Sequence, residues 1–374
     1  MVKKTNSGPT SSGGADELLV SSFLSMSSSS ILPIYLSMPD SRFLTAYVDL
    51  PFIEEIFRNK PDEGSAPYDK RELWEVWHGV FDFLQRHARV ILDGDLDGHP
   101  ELQRFFLHTG QWDLDLQPGA STRFIDPQHV SESNPYTIFL LENPDIPVDD
   151  LRQETGLLFL RYEDLEHDWL RLFKHHNIDI GVEADRLFEW GRLRQHGSPL
   201  NAIVVADKYA YKQFSDDTFE ENLGALFLSL LPERINNKAH ITLVTDLWTA
   251  YEEKRLKPNE VHDRIKDYLQ MYRADLDVAI TVVGYESSAG HKDRFIITNY
   301  AFFASNDSLE FFRNGRLNKE TFIHHLPLSE NGLKAKRRLR RLAGISNDPP
   351  TYPANGLLLG SSSGRNRLLS TGAL

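Results

Sequence analysis

Cysteine is absent from the 374-residue chain, which excludes disulfides, thiolate metal centres and cysteine nucleophiles. Long apolar runs are missing too: no segment approaches the ~18–20 consecutive apolar residues that a membrane-spanning helix needs. Residues 1–14 carry two lysines but no apolar core of a secretory signal, so the chain reads as cytoplasmic. Positive charge is in the minority, with 41 Lys and Arg against 54 Asp and Glu and a formal net charge of −13. That balance argues against a protein that coats nucleic acid with its whole surface, although phosphate affinity follows local patches and not the total. There is no Walker loop, no Gly-x-Gly-x-x-Gly and no His-Glu-x-x-His. No repeat of solenoid or propeller period is present.

What remains is ordinary globular composition, 40% hydrophobic and 25% charged, with ample length for two domains or one large one. Residues 1–30 form a Ser- and Gly-rich leader that cannot bury enough apolar surface to offset the entropy of ordering. Residues 31–196 read as an N-terminal α/β domain of unassigned fold. It has strand candidates at 31–36, 136–141 and 157–162 and helical apolar spacing over 69–90 and 163–176. A further short helix is expected over 183–193. Gly197-Ser198-Pro199 breaks the chain, and a second α/β domain is expected over 197–345. There, β-branched runs at 202–206, 241–245 and 276–283 alternate with helices at 218–231 and 258–272, the pattern of a largely parallel sheet covered by helices. A fourth strand at 295–303 follows the third closely, as an antiparallel pair would. Residues 346–374 read as a flexible tail whose Leu357-Leu358-Leu359 patch docks on a partner or folds back.

Candidate chemistry gathers at strand ends, where open α/β sheets place ligands. Asp207 and Asp246 each follow a buried strand, as loop caps or as site residues. His291, Lys292, Asp293 and Arg294 open the fourth strand. Strand alternation points His291 and Asp293 one way and Lys292 and Arg294 the other. A histidine oriented by a carboxylate is a nucleophile or base near neutral pH, and adjacent cations stabilise phosphate oxygens. Six cations, Lys334, Lys336, Arg337, Arg338, Arg340 and Arg341, make either a solvated helix face or a phosphate-binding surface. Asp93, Asp95 and Asp97 reproduce the opening of a calcium loop, but its twelfth position is Arg104, not Glu; magnesium suits the same oxygens. The doublets His175-His176 and His324-His325 lack the spacing that puts two ligands on one helix face and read as helix-end or loop residues. Trp74, Trp77, Trp169 and Trp190 fall within apolar helical faces and read as core.

The His-x-Asp-Arg sequence opening an apolar strand with Asn resembles the phospholipase D-like superfamily, in particular the single-motif branch typified by the C-terminal domain of MIT-domain proteins. The matching positions are His291, Asp293, Arg294 and Asn299. Ser308-Leu309-Glu310-Phe311-Phe312 follows as that branch's aromatic closing segment would. The resemblance spans residues 202–312 and implies a phosphodiester-directed α/β domain that needs no cofactor. Catalytic members carry His-x-Lys and, four residues on, Asp, in two copies. Here Lys292 adjoins His291, Ile296 stands four residues beyond Lys292, and there is one copy, so two histidines would require a homodimer. Three readings follow. The first is a nuclease-like protein acting on nucleic acid, which by fold analogy suits a bacterial antiphage system. The second is a non-catalytic module for a phosphate-bearing surface or protein partner. The third is a metal-dependent nuclease using Asp93, Asp95 and Asp97 with Mg or Ca.

Overall fold

Short apolar runs separated by amphipathic segments of helical length build two sheets, each covered by helices. The computed structural model describes residues 42–60, 71–107, 112–126, 129–130, 133–134, 136–169, 174–180, 190–247, 256, 258–284, 294–347, 358–360 and 366–369. The leader, the strand expected at 31–36, and His291, Lys292 and Asp293 lie outside the described residues.

The N-terminal half begins with β1 (Leu44–Asp49), α1 (Leu50–Arg58), α2 (Arg71–His87), β2 (Ala88–Asp93) and α3 (Pro100–Leu107). It continues with β3 (Asp113–Leu116), α4 (Ala120–Phe124), β4 (Thr137–Leu140), α5 (Val148–Thr155) and β5 (Leu158–Leu160). These strands form a wholly parallel sheet in the order β3-β2-β1-β4-β5. The order reverses between β1 and β4, the point at which such sheets open a crevice at their carboxyl edge. Alternation sends Ala46, Val48, Val90, Leu92, Ile138 and Leu140 to one face and Tyr47, Ile91, Phe139 and Phe159 to the other. On that second face the rings of Tyr47, Phe139 and Phe159 stack across three strands, with centroids 5.1 and 4.2 Å apart.

Next come β6 (His176–Ile180), α6 (Gly191–Gly197), β7 (Ala202–Ala206), α7 (Tyr211–Ser215), α8 (Ala225–Leu230) and β8 (Ala239–Thr245). After α9 (Pro258–Tyr272) follow β9 (Val278–Gly284), β10 (Arg294–Thr298), β11 (Ala301–Ser305), β12 (Phe312–Arg313) and β13 (Arg316–Leu317). The last elements are β14 (Thr321–Pro327), α10 (Leu328–Asn347) and β15 (Leu358–Gly360). Eight strands form the second sheet, ordered β15-β9-β8-β7-β10-β11-β14-β6. It is mixed, in contrast to the largely parallel sheet expected: only β7, β8 and β9 run parallel. Nor does β10 pair with β9. It lies antiparallel to β7 and β11, and β9 instead receives β15. The reason sits at the end of β10, where the Asn299 carboxamide accepts hydrogen bonds from the amides of Asn201 and Ala202 and so locks that end of the chain to the start of β7. The run expected as one strand at 295–303 turns at Asn299-Tyr300 and becomes two.

Residues 163–176 also depart from expectation. In place of one helix there is a 3-10 turn, Tyr162–Asp164, then a short π-helical segment, Leu165–Trp169, and His176 opens β6. The Asp164 carboxylate accepts from the Arg161 amide and the Arg152 guanidinium, which fixes the turn. The chain thus reaches the second sheet with β6, upstream of Gly197. Trp77 packs among Phe57 and Phe81, and buried Trp190 stacks on Phe311, as core residues. In the C-terminal stretch, β15 pairs with β9, and the buried Asn366 side chain donates to the Ile203 carbonyl.

One apolar cluster takes side chains from both sheets and from α10. The polar junction is equally specific. The Tyr300 hydroxyl accepts from the Leu158 amide and donates to the Thr137 carbonyl. Nearby, Gly156 has φ +65°, and a Cβ there would stand 2.4 Å from the Leu200 carbonyl oxygen, so only glycine fits. Tyr300→Phe strands a buried donor and a buried acceptor and is expected to cost about 2 kcal/mol in urea unfolding. Gly156→Ala, which forces backbone apart at the same junction, is expected to cost at least as much.

Candidate functional site

At the carboxyl edge of β7 three cations and a buried acid come together. Asp207, the first residue beyond β7, is wholly buried. Its Oδ1 accepts from the Tyr209 amide at 2.9 Å, a tight turn made by the aspartate's own side chain. Its Oδ2 accepts from the Ser308 hydroxyl at 2.7 Å and the Leu309 amide at 2.8 Å. Burial pushes the carboxyl's pKa up, against the pull of these three donors and of Arg294. Asp207 therefore fixes the loop after β11 onto the end of β7. This is a positioning role, and both oxygens are taken.

The turn that Asp207 makes presents a group the sequence analysis did not single out. Tyr209 is half-buried, and three cations surround its ring: Lys212 Nζ at 4.9 Å, Lys208 Nζ at 5.4 Å and Arg294 Cζ at 5.5 Å from the centroid. Each pairing is attractive through the ring quadrupole, whereas the cations repel one another, so the ring works as a hub that holds positive charge together. Arg294 reaches this place because β10 runs antiparallel to β7, with Phe295 opposite Ala206. Its terminal nitrogen donates to the Asn306 carbonyl at 2.6 Å. Its Nε makes no hydrogen bond and keeps only a 3.9 Å ionic contact with Asp207. A legible signal existed: Lys208 and Lys212 stand four residues apart around Tyr209 directly after a buried strand.

The remaining sequence candidates separate. Asp246 is buried one strand over, at the end of β8, and its amide donates to the Lys208 carbonyl at 3.2 Å. It therefore shares the edge with Asp207. Asn299 lies at the opposite end of β10 and is bound up in the junction: its carboxamide oxygen takes two backbone amides, and its nitrogen donates to Asn201. Of the basic segment, Lys334, Arg337, Arg340 and Arg341 are exposed on α10. Lys334 lies over Phe302 and Arg338 over Phe295, side chains that face the shared core, whereas Ile296, in phase with Arg294, faces the other cluster. The segment thus covers the face of β10 opposite to Arg294.

In the first sheet the acids close the switch point. Asp49, at the end of β1, caps α1 through the Phe52 amide and takes the amides of Glu142 and Asn143 beyond β4. Glu142 in turn accepts from the Tyr162 amide. Burial pushes both carboxyls up. Asp93 is occupied by the amides of Gly119, Ala120 and Ser121, and Asp95 accepts from the Asp97 amide. Among the described residues Asp93, Asp95 and Asp97 join no convergent group of three ligands. No protein-family model matches the chain, and no curated protein matches it in sequence.

Asp207→Ala is expected to cost on the order of 3 kcal/mol, since it strands the buried Leu309 amide and removes the partner of Arg294. Amide hydrogen exchange at residues 306–310 is expected to rise more than the global change in stability explains. Asp207→Asn, which retains an acceptor, is expected to fall between the two.

Proposed function

We propose that this chain is a phosphodiester-directed protein that takes a phosphate-bearing ligand, nucleic acid by preference, where the carboxyl end of β7 meets the amino end of β10. The observation that carries this reading is the set of three cations within 5.5 Å of the Tyr209 ring. In a chain with a formal charge of −13, such a concentration at a strand end favours an anion that the rest of the surface repels. Arginine adds a planar fork matched to phosphate oxygens. In this reading Lys208, Lys212, Lys292 and Arg294 bind phosphate. Asp246 and Asp293 orient, and His291 is nucleophile or base. Asp207 holds the loop that backs the site.

A second reading, a module that binds the same ligand without turnover, is favoured by one specific observation. Asp207 and Asn299, both matched to catalysis by sequence, have their side-chain oxygens filled by protein donors. The two readings separate in one experiment: hydrolysis of single- and double-stranded DNA, RNA and a generic phosphodiester, with and without EDTA, by wild type and His291→Ala. Turnover that survives chelator and vanishes with His291 supports the enzyme. Turnover lost to chelator and indifferent to His291 moves the chemistry to the acids of the first sheet. Binding without turnover supports the module.

Both readings share one expectation. Replacing Lys208, Lys212 and Arg294 together by Ala is expected to weaken binding of a single-stranded oligonucleotide by more than about tenfold. The slope of log affinity against log salt is expected to fall by about 2, since each lost phosphate contact removes roughly 0.7. Unchanged affinity and slope in the folded triple variant would remove this edge from the ligand site.

A further inference from the structure

Three histidines from distant parts of the chain meet on the face of the second sheet that α6 covers. His176 on β6 and His325 on β14 are direct cross-strand partners. His196 comes from the last turn of α6. One ring nitrogen from each lies within 4.8 Å of the other two. The ring centroids are 4.6 Å apart for His176 and His196, 5.2 Å for His196 and His325, and 5.8 Å for His176 and His325. Phe303, the cross-strand neighbour of His325 on β11, closes the floor with its ring 5.3 Å away.

We propose that His176, His196 and His325 form a site for one divalent transition-metal ion of the zinc class, which clamps β6 and α6 to β14.

The strongest support is His325 itself. It is completely buried, and the Lys174 carbonyl lies within hydrogen-bonding reach of one ring nitrogen, which leaves the other without a protein partner. A buried polar group without a partner is costly, and a metal ion on one nitrogen supplies the partner. The donor set narrows the ion. Three imidazoles suit zinc, nickel, copper or cobalt, whereas magnesium and calcium require oxygen ligands. Three protein ligands leave a fourth position for water in a tetrahedral shell.

The geometry is close to that of a closed site. Imidazoles bound to one tetrahedral zinc at ~2.0–2.1 Å place their nitrogens roughly 3.3–3.4 Å apart. Reaching this from the 4.8 Å envelope needs movements of an ångström or so. His325 is fixed by burial, but His176 and His196 are only half-buried and can turn toward it. The fold gives the clamp a purpose: among the described residues β6 is an edge strand paired only with β14, so a link from His176 to His325 and α6 reinforces that single pairing and fixes the strand to the helix above it.

The test uses the full chain without a histidine tag, stripped with chelator and dialysed. It is titrated with zinc by calorimetry and with cobalt by visible absorption, and thermal unfolding is followed with zinc or with EDTA. The expected result is one zinc per chain, a raised midpoint of unfolding, and a cobalt spectrum of low-symmetry, nitrogen-rich coordination. His176→Ala and His196→Ala, half-buried and so compatible with folding, are expected to weaken binding by more than about tenfold and to abolish the cobalt band. His175→Ala and His324→Ala, neighbours in sequence, are expected to leave both unchanged. Absence of a stoichiometric site in wild type would overturn the proposal. So would undiminished zinc affinity in His176→Ala and His196→Ala variants whose circular dichroism matches wild type, because the metal would then bind elsewhere.

Discussion

The Tyr300 hydroxyl, which takes the Leu158 amide and gives its proton to the Thr137 carbonyl, ties the turn between β10 and β11 to the amino edge of β4 and β5. The adjacent Asn299 takes the amides that open β7. Two neighbouring side chains in one turn thus attach the second sheet to the first and choose β7 as the partner of β10. Once that end is fixed, antiparallel pairing leaves no freedom at the other. Arg294 must emerge at the carboxyl end of β7, roughly 17 Å away at an extended rise of about 3.3–3.4 Å per residue. The junction and the cation cluster are therefore opposite ends of one short strand. Damage to the junction is transmitted to the cluster through register, with no need for contact between them.

That arrangement also explains why the charged residues sort as they do. A parallel strand ending in a buried aspartate needs donors, and Asp207 finds them in Tyr209, Ser308 and Leu309. Arg294 adds its ionic contact at 3.9 Å, too long to satisfy its Nε. Neutralisation of Asp207 is accordingly achieved mainly by neutral donors, and the guanidinium stays over Tyr209 with Lys208 and Lys212. In the first sheet the same physics has the opposite outcome. Asp49 and Asp93 accept from backbone amides of the segments that follow neighbouring strands, and Asp49 also from the Phe52 amide of the helix it caps. The acids at the edge of the first sheet are taken up by its own loops, whereas the edge of the second presents cations.

Legibility in the sequence followed burial on both faces. β7, all five residues buried, reads as a strand because nothing in Ala202–Ala206 breaks the apolar run, and α9 was legible to its end residues. β3 could not be read, since Asp-Leu-Asp-Leu at a sheet edge differs little from a polar loop. β1 was passed over because Thr45 and Tyr47 blur the contrast between its faces. The parallel character of the second sheet was overestimated for a different reason. Alternation of strand and helix is local, but whether the next strand joins the near or the far edge depends on long-range hydrogen bonds. Asn299 makes those bonds, and its side chain looked like a site residue. Arg294 and Asp207 stand at one edge, 3.9 Å apart, because β10 pairs with β7 and not, as expected, with β9. Lys208, Lys212 and Tyr209 were missed because each reads alone as ordinary surface.

The histidine doublets show how an assumed period hides a cluster. Judged on a helix, neighbours such as His175-His176 and His324-His325 diverge by about 100° and cannot share a ligand. On strands the period is 2, so one member of each pair points in and the other out. His325 goes inward with no exposure, and His324 turns outward to Asn177. Cross-strand registration then sets His176 directly beside His325, a proximity that no spacing rule within one segment reveals. Only α6, arriving after a separate stretch of chain, supplies the third ring. Three-dimensional convergence of this kind is encoded in strand pairing, and pairing was the part of the second sheet that local pattern left open.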